Sequence, residues 1–142
     1  MIKSIYLIGS LRNPKIRVIA NKLRDHGYEV FDEWHATAPD TDDHWQKYCT
    51  ARGWSYDQAL AGLTAETIFN FDKKHLDRCD CTVMVLPAGR SGHLELGYKR
   101  GCGKPGFILL DGAKVDRYDI MYRFATAVVP DIRSLLKALK KG

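Results

Sequence analysis

Apolar positions along the chain fall into two kinds of run that alternate. "IKSIYLIG" (2–9) is a β-branched and aromatic stretch ending in Gly-Ser, the pattern of a buried strand. Over 13–27, apolar residues recur at Ile16, Ile19, Ala20 and Leu23, a helical spacing. Asn13 is a candidate cap, Pro14 stands at the first helical position and Gly27 is the stop. "YEVFDEW" (28–34) reads as a second strand. From His35 to about Gly53 the chain is polar, irregular in period and rich in aromatics, and so long a connection in a small domain is usually functional or a lid. Ser55 heads a long helical period over 55–80, with a break near Asn70. "CTVMVLP" (81–87) is a short apolar strand, "SGHLELGYKRG" (91–101) a helix closed by Gly101, and "KPGFILLDG" (104–112) another strand. A short helix over 117–127, a last short strand "VVP" and an amphipathic helix over 131–142 complete the chain.

Strands that alternate with helices predict parallel strands joined by helical crossovers. The expected fold is α/β: a doubly wound, flavodoxin- or Rossmann-like parallel sheet with helices on both faces, one domain over 1–142. No repeat or linker interrupts it. Ligands of such folds sit at the carboxyl ends of the strands. The residues there are Gly9, Ser10 and Arg12 after the first strand, Asp32, Glu33 and Trp34 after the second, Pro87 to Glu95 after the third, and Asp111 after the fourth.

Composition narrows the chemistry. With 45% hydrophobic and 27% charged residues in 142, the chain has the make-up of an ordinary soluble domain with its own core. No apolar run approaches the roughly 20 residues of a membrane span, and "MIKSIYLIG" reads as a strand, not a leader, so a cytoplasmic protein is expected. Cys49, Cys79, Cys81 and Cys102 form no CxxC pair and no zinc spacing, so free thiols and no metal are expected. The net charge of +5 lies partly in the tail "KALKKG", and no basic stripe interleaves with aromatics. A nucleic-acid polymer is not an expected partner, whereas a small anion such as a nucleotide suits the surplus.

Glu95 stands just inside the helix that follows the third strand, among Gly89, Ser91, Gly92 and His93. Two readings stay open. Ser91 can cap the helix with Glu95 as a first-turn acid, worth a few tenths of a kcal/mol (roughly 0.3–1) with the dipole. Alternatively, Gly89 and Gly92 admit a ligand close to the backbone, helix-start N–H groups hold an anion or polarised oxygen, and the carboxylate faces the crevice as a nucleophile. His93 either lines this site or is solvated. Gly9-Ser10-Leu11-Arg12 is either an ordinary turn or a small phosphate cradle of backbone N–H, hydroxyl and guanidinium, unlike a Walker loop or a GxGxxG fingerprint. Asp72, flanked by Phe69 and Phe71, is either a surface acid or a carboxyl whose raised pKa suits general-acid work. Trp34, Trp45 and Trp54 are either stacking surfaces for a base or loop anchors.

"SIYLIGSLR", "FDKKHLDRCDCTVMVLP", "SGHLELGYKRGCGKPGFILL" and "YDIMYRF" resemble, in order, segments of the nucleoside 2-deoxyribosyltransferase family, which includes the 2'-deoxynucleoside 5'-monophosphate N-glycosidases. The most specific element is Gly-x-x-Glu-Leu-Gly followed by Gly-Lys-Pro and an apolar strand; the 35–53 stretch does not align. The resemblance implies that Glu95 is the nucleophile that attacks the anomeric carbon, that Tyr6 positions it, and that Asp72 contacts the base and protonates it as it leaves. It implies that Gly9, Ser10 and Arg12 form a 5'-phosphate loop. It places Asp119 and Met121 near the sugar 5' position of a neighbouring subunit's site, so a homo-oligomer is implied. Ser10 and Arg12 suit a 5'-phosphate, while Asp119 suits a free 5'-hydroxyl, because a carboxylate beside a dianion is repulsive.

The expected function is therefore cleavage of the N-glycosidic bond of a 2'-deoxynucleoside, or its 5'-monophosphate, through a covalent deoxyribosyl–Glu95 intermediate. The sugar passes to a free nucleobase, and no cofactor is expected. The alternative is hydrolysis of deoxynucleoside 5'-monophosphates to base and deoxyribose 5-phosphate. Rivals are a phosphoribohydrolase acting on ribonucleotides, a nucleotide-binding sensor without turnover, and, on fold class alone, a flavodoxin-like electron carrier.

Overall fold

The computed structural model describes residues 1–115 and 118–142. Among these, β1 (Ser4–Ile8), β2 (Glu29–Phe31), β3 (Cys81–Val85), β4 (Gly106–Leu109) and β5 (Ala127–Val129) form one sheet. Its order is β2-β1-β3-β4-β5 and every pairing is parallel. The helices are α1 (Lys15–Asp25), α2 (Thr41–Ala51), α3 (Tyr56–Leu60), α4 (Leu63–Arg78), α5 (Arg90–Gly101) and α6 (Ile132–Lys141). Every residue of β1, β3 and β4 is buried, as strands covered on both faces require. Ile5 and Leu7 meet Ile16, Ile19 and Leu23 of α1 and Leu135 and Leu139 of α6 on one face. Tyr6, Ile8, Met84 and Ile108 meet Leu76 of α4 and Leu96 of α5 on the other. Burying a Val, Leu, Ile or Phe side chain contributes about 1.5–3 kcal/mol, and buried Val30 and Phe31 hold the three-residue strand β2 in place. This is the expected doubly wound fold. No described helix is long and apolar enough to cross a membrane.

The chain leaves β1 for β2 on one side, while β3 pairs on the other. That reversal opens a crevice at the carboxyl ends of β1 and β3. Gly92 sets how α5 lies over it. A Cβ there would stand 2.6 Å from Cγ2 of Ile8 and 3.4 Å from Cβ of Ala88, so glycine lets the helix rest on the sheet.

The structure departs from the sequence reading in five places. The 35–53 stretch is not irregular: Glu33–Ala36 is a 3-10 turn, and α2 follows. Asp42 and Asp43 in the first turn of α2 and an Asp40–His44 pair at 3.0 Å support it locally. Its apolar face is only Trp45, Tyr48 and Cys49, of which Cys49 alone is buried, so the period is faint. The break in the 55–80 helix falls at Ala61 and Gly62, not near Asn70, because Trp54 packs so close that a Cβ on Gly62 would lie 3.0 Å from its ring. Asn13 caps α1 from one residue upstream, accepting from the Lys15 N–H at 3.0 Å. Ser91 is not the cap of α5; Gly89 holds that position without a side-chain bond, and Ser91 lies inside the first turn. Arg117, at the head of the short predicted helix, lies outside the described residues; Ile120–Phe124 is a 3-10 turn.

Candidate active site

Tyr6 sits mid-strand in β1 on the face that α4 and α5 cover, and is 2% exposed. Its hydroxyl donates to Oε2 of Glu95 at 2.6 Å. Glu95 lies in the second turn of α5, partly buried. Burial pushes its carboxyl up from 4.5 to about 7; the Tyr6 hydrogen bond works against that rise and the charge of Asp72 adds to it. Asp72, in the middle of α4, is itself raised by burial, with His75 one turn on opposing. The Tyr6 phenol is pushed far up by burial and by both carboxylates, so it stays a donor. Three residues from β1, α4 and α5 thus converge at one point. Two like-charged groups in a poorly hydrated place hold their protons more tightly than either would alone. A cation forming beside them would favour ionised Glu95.

Aromatic rings wall the cluster. Tyr6 stacks on Phe31 at 5.2 Å, and Phe31 stacks on His75 at 4.1 Å and 8°. Phe71 meets both Phe31 and His75 at steeper angles. His75 Nδ1 accepts from Nε of Arg78 at 2.8 Å, which fixes its tautomer while it is neutral. The sequence reading did not include Phe31 or His75 in the site. The signal for His75 was there: it stands one helical turn after Asp72.

The loop after β1 folds on itself. Ser10 Oγ accepts from the Arg12 N–H at 3.1 Å, and the Ser10 carbonyl accepts from the Asn13 N–H at 3.0 Å. A Cβ on Gly9 would collide with Ile16, so Gly9 keeps α1 close. The Arg12 guanidinium reaches across to Asp43 of α2 at 3.3 Å, with both side chains more than half exposed. Such a pair is worth about 0–1 kcal/mol, so Arg12 can leave it for a ligand. Gly89 and Ser91 are exposed at the head of α5, whereas Gly92 is buried against the sheet and serves packing. His93 Nδ1–H donates to the Gly89 carbonyl at 2.7 Å, since a carbonyl can only accept. Its Nε2 then accepts from the hydroxyl of Tyr122 at 2.9 Å, a partner 29 residues away along the chain. A shallow hollow beside them is lined by Ala88, Gly89, Arg90, His93 and Leu94.

Asp119 caps the 120–124 turn, accepting from the Met121 N–H at 2.8 Å; Met121 is exposed. Among the described residues no hydrogen bond joins Asp119 or Met121 to the Tyr6–Glu95 pair, nor does Arg12 bond to it. Two of the three tryptophans are anchors. Trp34 Nε1 donates to the Leu7 carbonyl at 2.7 Å, and Trp54 is clamped between Gly62 and the Arg52 guanidinium, 4.5 Å away. No three His, Cys, Asp or Glu side chains among the described residues gather as a metal cluster.

No family model matches the sequence, and no curated protein does. Solved structures do match. A CMP N-glycosidase from Clostridium botulinum is similar over 98% of this chain and 97% of its own, with TM-score 0.57 and 16% identity. A conserved protein from Enterococcus faecalis V583 is similar over 99% of both chains, with TM-score 0.67 and 14% identity. A 2-deoxyribosyltransferase from Bacillus psychrosaccharolyticus is similar over 93% of this chain and 89% of its own, with TM-score 0.63 and 18% identity. At these identities the likeness establishes the fold.

Proposed function

We propose that the protein cleaves the N-glycosidic bond of a 2'-deoxynucleoside and passes the deoxyribosyl group to another nucleobase, with Glu95 as the nucleophile. The observation that carries this reading is the 2.6 Å bond from the Tyr6 hydroxyl to a partly buried Glu95, with Asp72 close enough to raise its pKa. The names of two neighbours that share the fold, a nucleotide N-glycosidase and a deoxyribosyltransferase, agree with it.

In this account the base leaves C1' as positive charge builds on the sugar. Ionised Glu95, held by Tyr6, stabilises that charge and then bonds to C1'. Asp72, whose carboxyl burial makes more ready to hold a proton, gives a proton to the departing base. The base that leaves is replaced by a second base, which attacks C1', returns the proton to Asp72 and frees Glu95. A 2'-deoxy sugar suits the chemistry because it lacks the electron-withdrawing hydroxyl next to the cationic carbon. Glu95, Tyr6 and Asp72 touch the reacting groups; His93, Gly89 and Ser91 flank the sugar; the 119–121 segment completes the site of a second copy. Exposed Ile120, Met121 and Phe124 beside Asp119 support that packing.

A second reading, hydrolysis of deoxynucleoside 5'-monophosphates, is favoured by one observation: among the described residues the Arg12 guanidinium is held by a weak exposed pair at the switch-point crevice. A phosphate displacing Asp43 would meet Arg12 and the Ser10 loop, and water would then attack C1'. The four free cysteines suit a reducing, cytoplasmic setting.

The test uses wild type and Glu95→Ala with mixed deoxynucleosides, their monophosphates and a free acceptor base, with products read by chromatography and mass. Base exchange by wild type alone supports transfer, base release alone supports hydrolysis, and equal turnover by both proteins removes Glu95 from the reaction. Ligand-induced thermal stabilisation without turnover favours the sensor.

A further inference from the structure

Lys99 is 2% exposed, and it is the charged side chain most deeply buried among the described residues. It lies in α5, yet its Nζ donates to two carbonyls of α4: Leu76 at 2.6 Å and Asp77 at 3.2 Å. Both belong to the last turn of α4, where backbone carbonyls have no partner inside the helix and a cation is favoured. The side chain therefore closes the end of one helix from inside another.

The spacing gives this bond a second meaning. Lys99 follows Glu95 by four residues in α5, and Leu76 follows Asp72 by four residues in α4. Positions i and i+4 share a helix face. The buried bond therefore lies one turn from the Glu95–Asp72 meeting in both helices. Other links between α4 and α5 are exposed: Tyr98 donates to Asp77 at 2.6 Å, and Lys73 lies over the Tyr98 ring at 5.4 Å. Exposed links of this kind resist sliding weakly.

Stability alone does not call for a lysine here. An apolar side chain of the same length would fill the volume without desolvating a charge, and such replacements are often neutral or stabilising. A lysine bonded to two carbonyls does what methionine cannot: it fixes the register of one helix against the other.

We propose that Lys99 is a positioning residue that sets the distance and register of Asp72 against Glu95, and through them the protonation of the pair. The proposal rests on the roles given above to those two carboxylates. The groups that shift Glu95 are its own burial, Tyr6 from β1 and Asp72 from α4. Those that face Lys99 are Cys79, Asp77, Lys104 and Cys102. Loss of a nearby cation would by itself raise the Glu95 midpoint, so a fall on replacing Lys99 reports geometry.

The experiment compares wild type with Lys99→Met. One readout is single-turnover base release with nucleoside affinity; the other is titration of the Glu95 carboxyl by carbon NMR on glutamate-labelled protein. The expected result is base release slower by about ten- to a hundredfold, the cost of a small misplacement, with affinity little changed. The Glu95 midpoint falls from about 7 toward the ordinary 4.5, because hydration and distance from Asp72 both lower it. A Lys99→Met protein that keeps the wild-type rate and the wild-type midpoint overturns the proposal, whatever happens to its melting temperature. If that variant does not fold, Lys99→Gln is judged by the same midpoint, and an unshifted value overturns the proposal equally. Wild type that turns nothing over refutes the reaction assigned to Glu95, while the titration still decides the role of Lys99.

Discussion

Tyr6→Phe removes one hydroxyl and keeps the ring on Phe31. The bond that it deletes, 2.6 Å to Oε2 of Glu95, is the interaction among the described residues that opposes the rise in the Glu95 pKa. A hydrogen bond to a charged group is worth about 1.5–3 kcal/mol, and one pKa unit is about 1.4 kcal/mol. Glu95 should then titrate roughly one to two units above its present value of about 7. The nucleophile must be ionised, so activity is lost on the acid side, and kcat/KM reports the free enzyme. The acid limb of the kcat/KM profile should move to higher pH by that amount. At about pH 6 the variant should be slower by roughly ten- to a hundredfold, and by about pH 10 the gap should nearly close. The assay is initial rates of base release across pH with one deoxynucleoside. A limb that stays in place, or a loss equal at every pH, refutes the reasoning and leaves Tyr6 with a purely steric part.

Four further outcomes follow from the same geometry. Glu95→Gln should abolish turnover and yet stabilise the protein at about pH 8 by about 3 kcal/mol in denaturant titrations, because at that pH a carboxyl raised from 4.5 to about 7 must be ionised where it is buried, a cost that the amide does not carry. The sign is that of a raised pKa: the contribution is full below the ordinary value and is lost as pH rises through about 7, so the two proteins should converge near pH 4. Asp72→Asn should slow release of a natural base by about 10²- to 10⁴-fold but spare a nitrophenolate leaving group, which needs no proton; equal losses would remove the acid role. Arg12→Ala should raise KM for 5'-monophosphates by about tenfold or more and leave nucleosides unchanged, as measured in parallel steady-state assays. Gly92→Ala should cost about 1–3 kcal/mol in a melting experiment, since the new Cβ meets Ile8 at 2.6 Å.

The sheet was legible because each buried strand is a dense apolar run bounded by glycine or proline, and the helices α1 and α6 carry four and two buried positions at helical spacing. The α2 helix was not legible, since one buried cysteine makes no stripe. The break at Gly62 depends on Trp54 reaching it through space, which spacing along the chain does not reveal. At the site, Asp72 and Glu95 stood out by residue type and by resemblance and Tyr6 by resemblance alone, and their elements converge. Their neighbours Phe31, His75 and Tyr122 come from a strand, a helix face and a distant turn, so only folding brings them together. Gly92 read as a ligand-side glycine; its place against Ile8 gives it a packing reason that spacing along the chain does not show.

The central claim is that Glu95 bonds to the sugar. The direct measurement is rapid acid quench of wild type with a deoxynucleoside, followed by proteolysis and peptide mass analysis. The expected product is a peptide spanning Glu95 that is heavier by one deoxyribosyl group, formed as base is released and lost when acceptor base is added. Release of base at full rate with no modified peptide, or with the sugar on another residue, would contradict it.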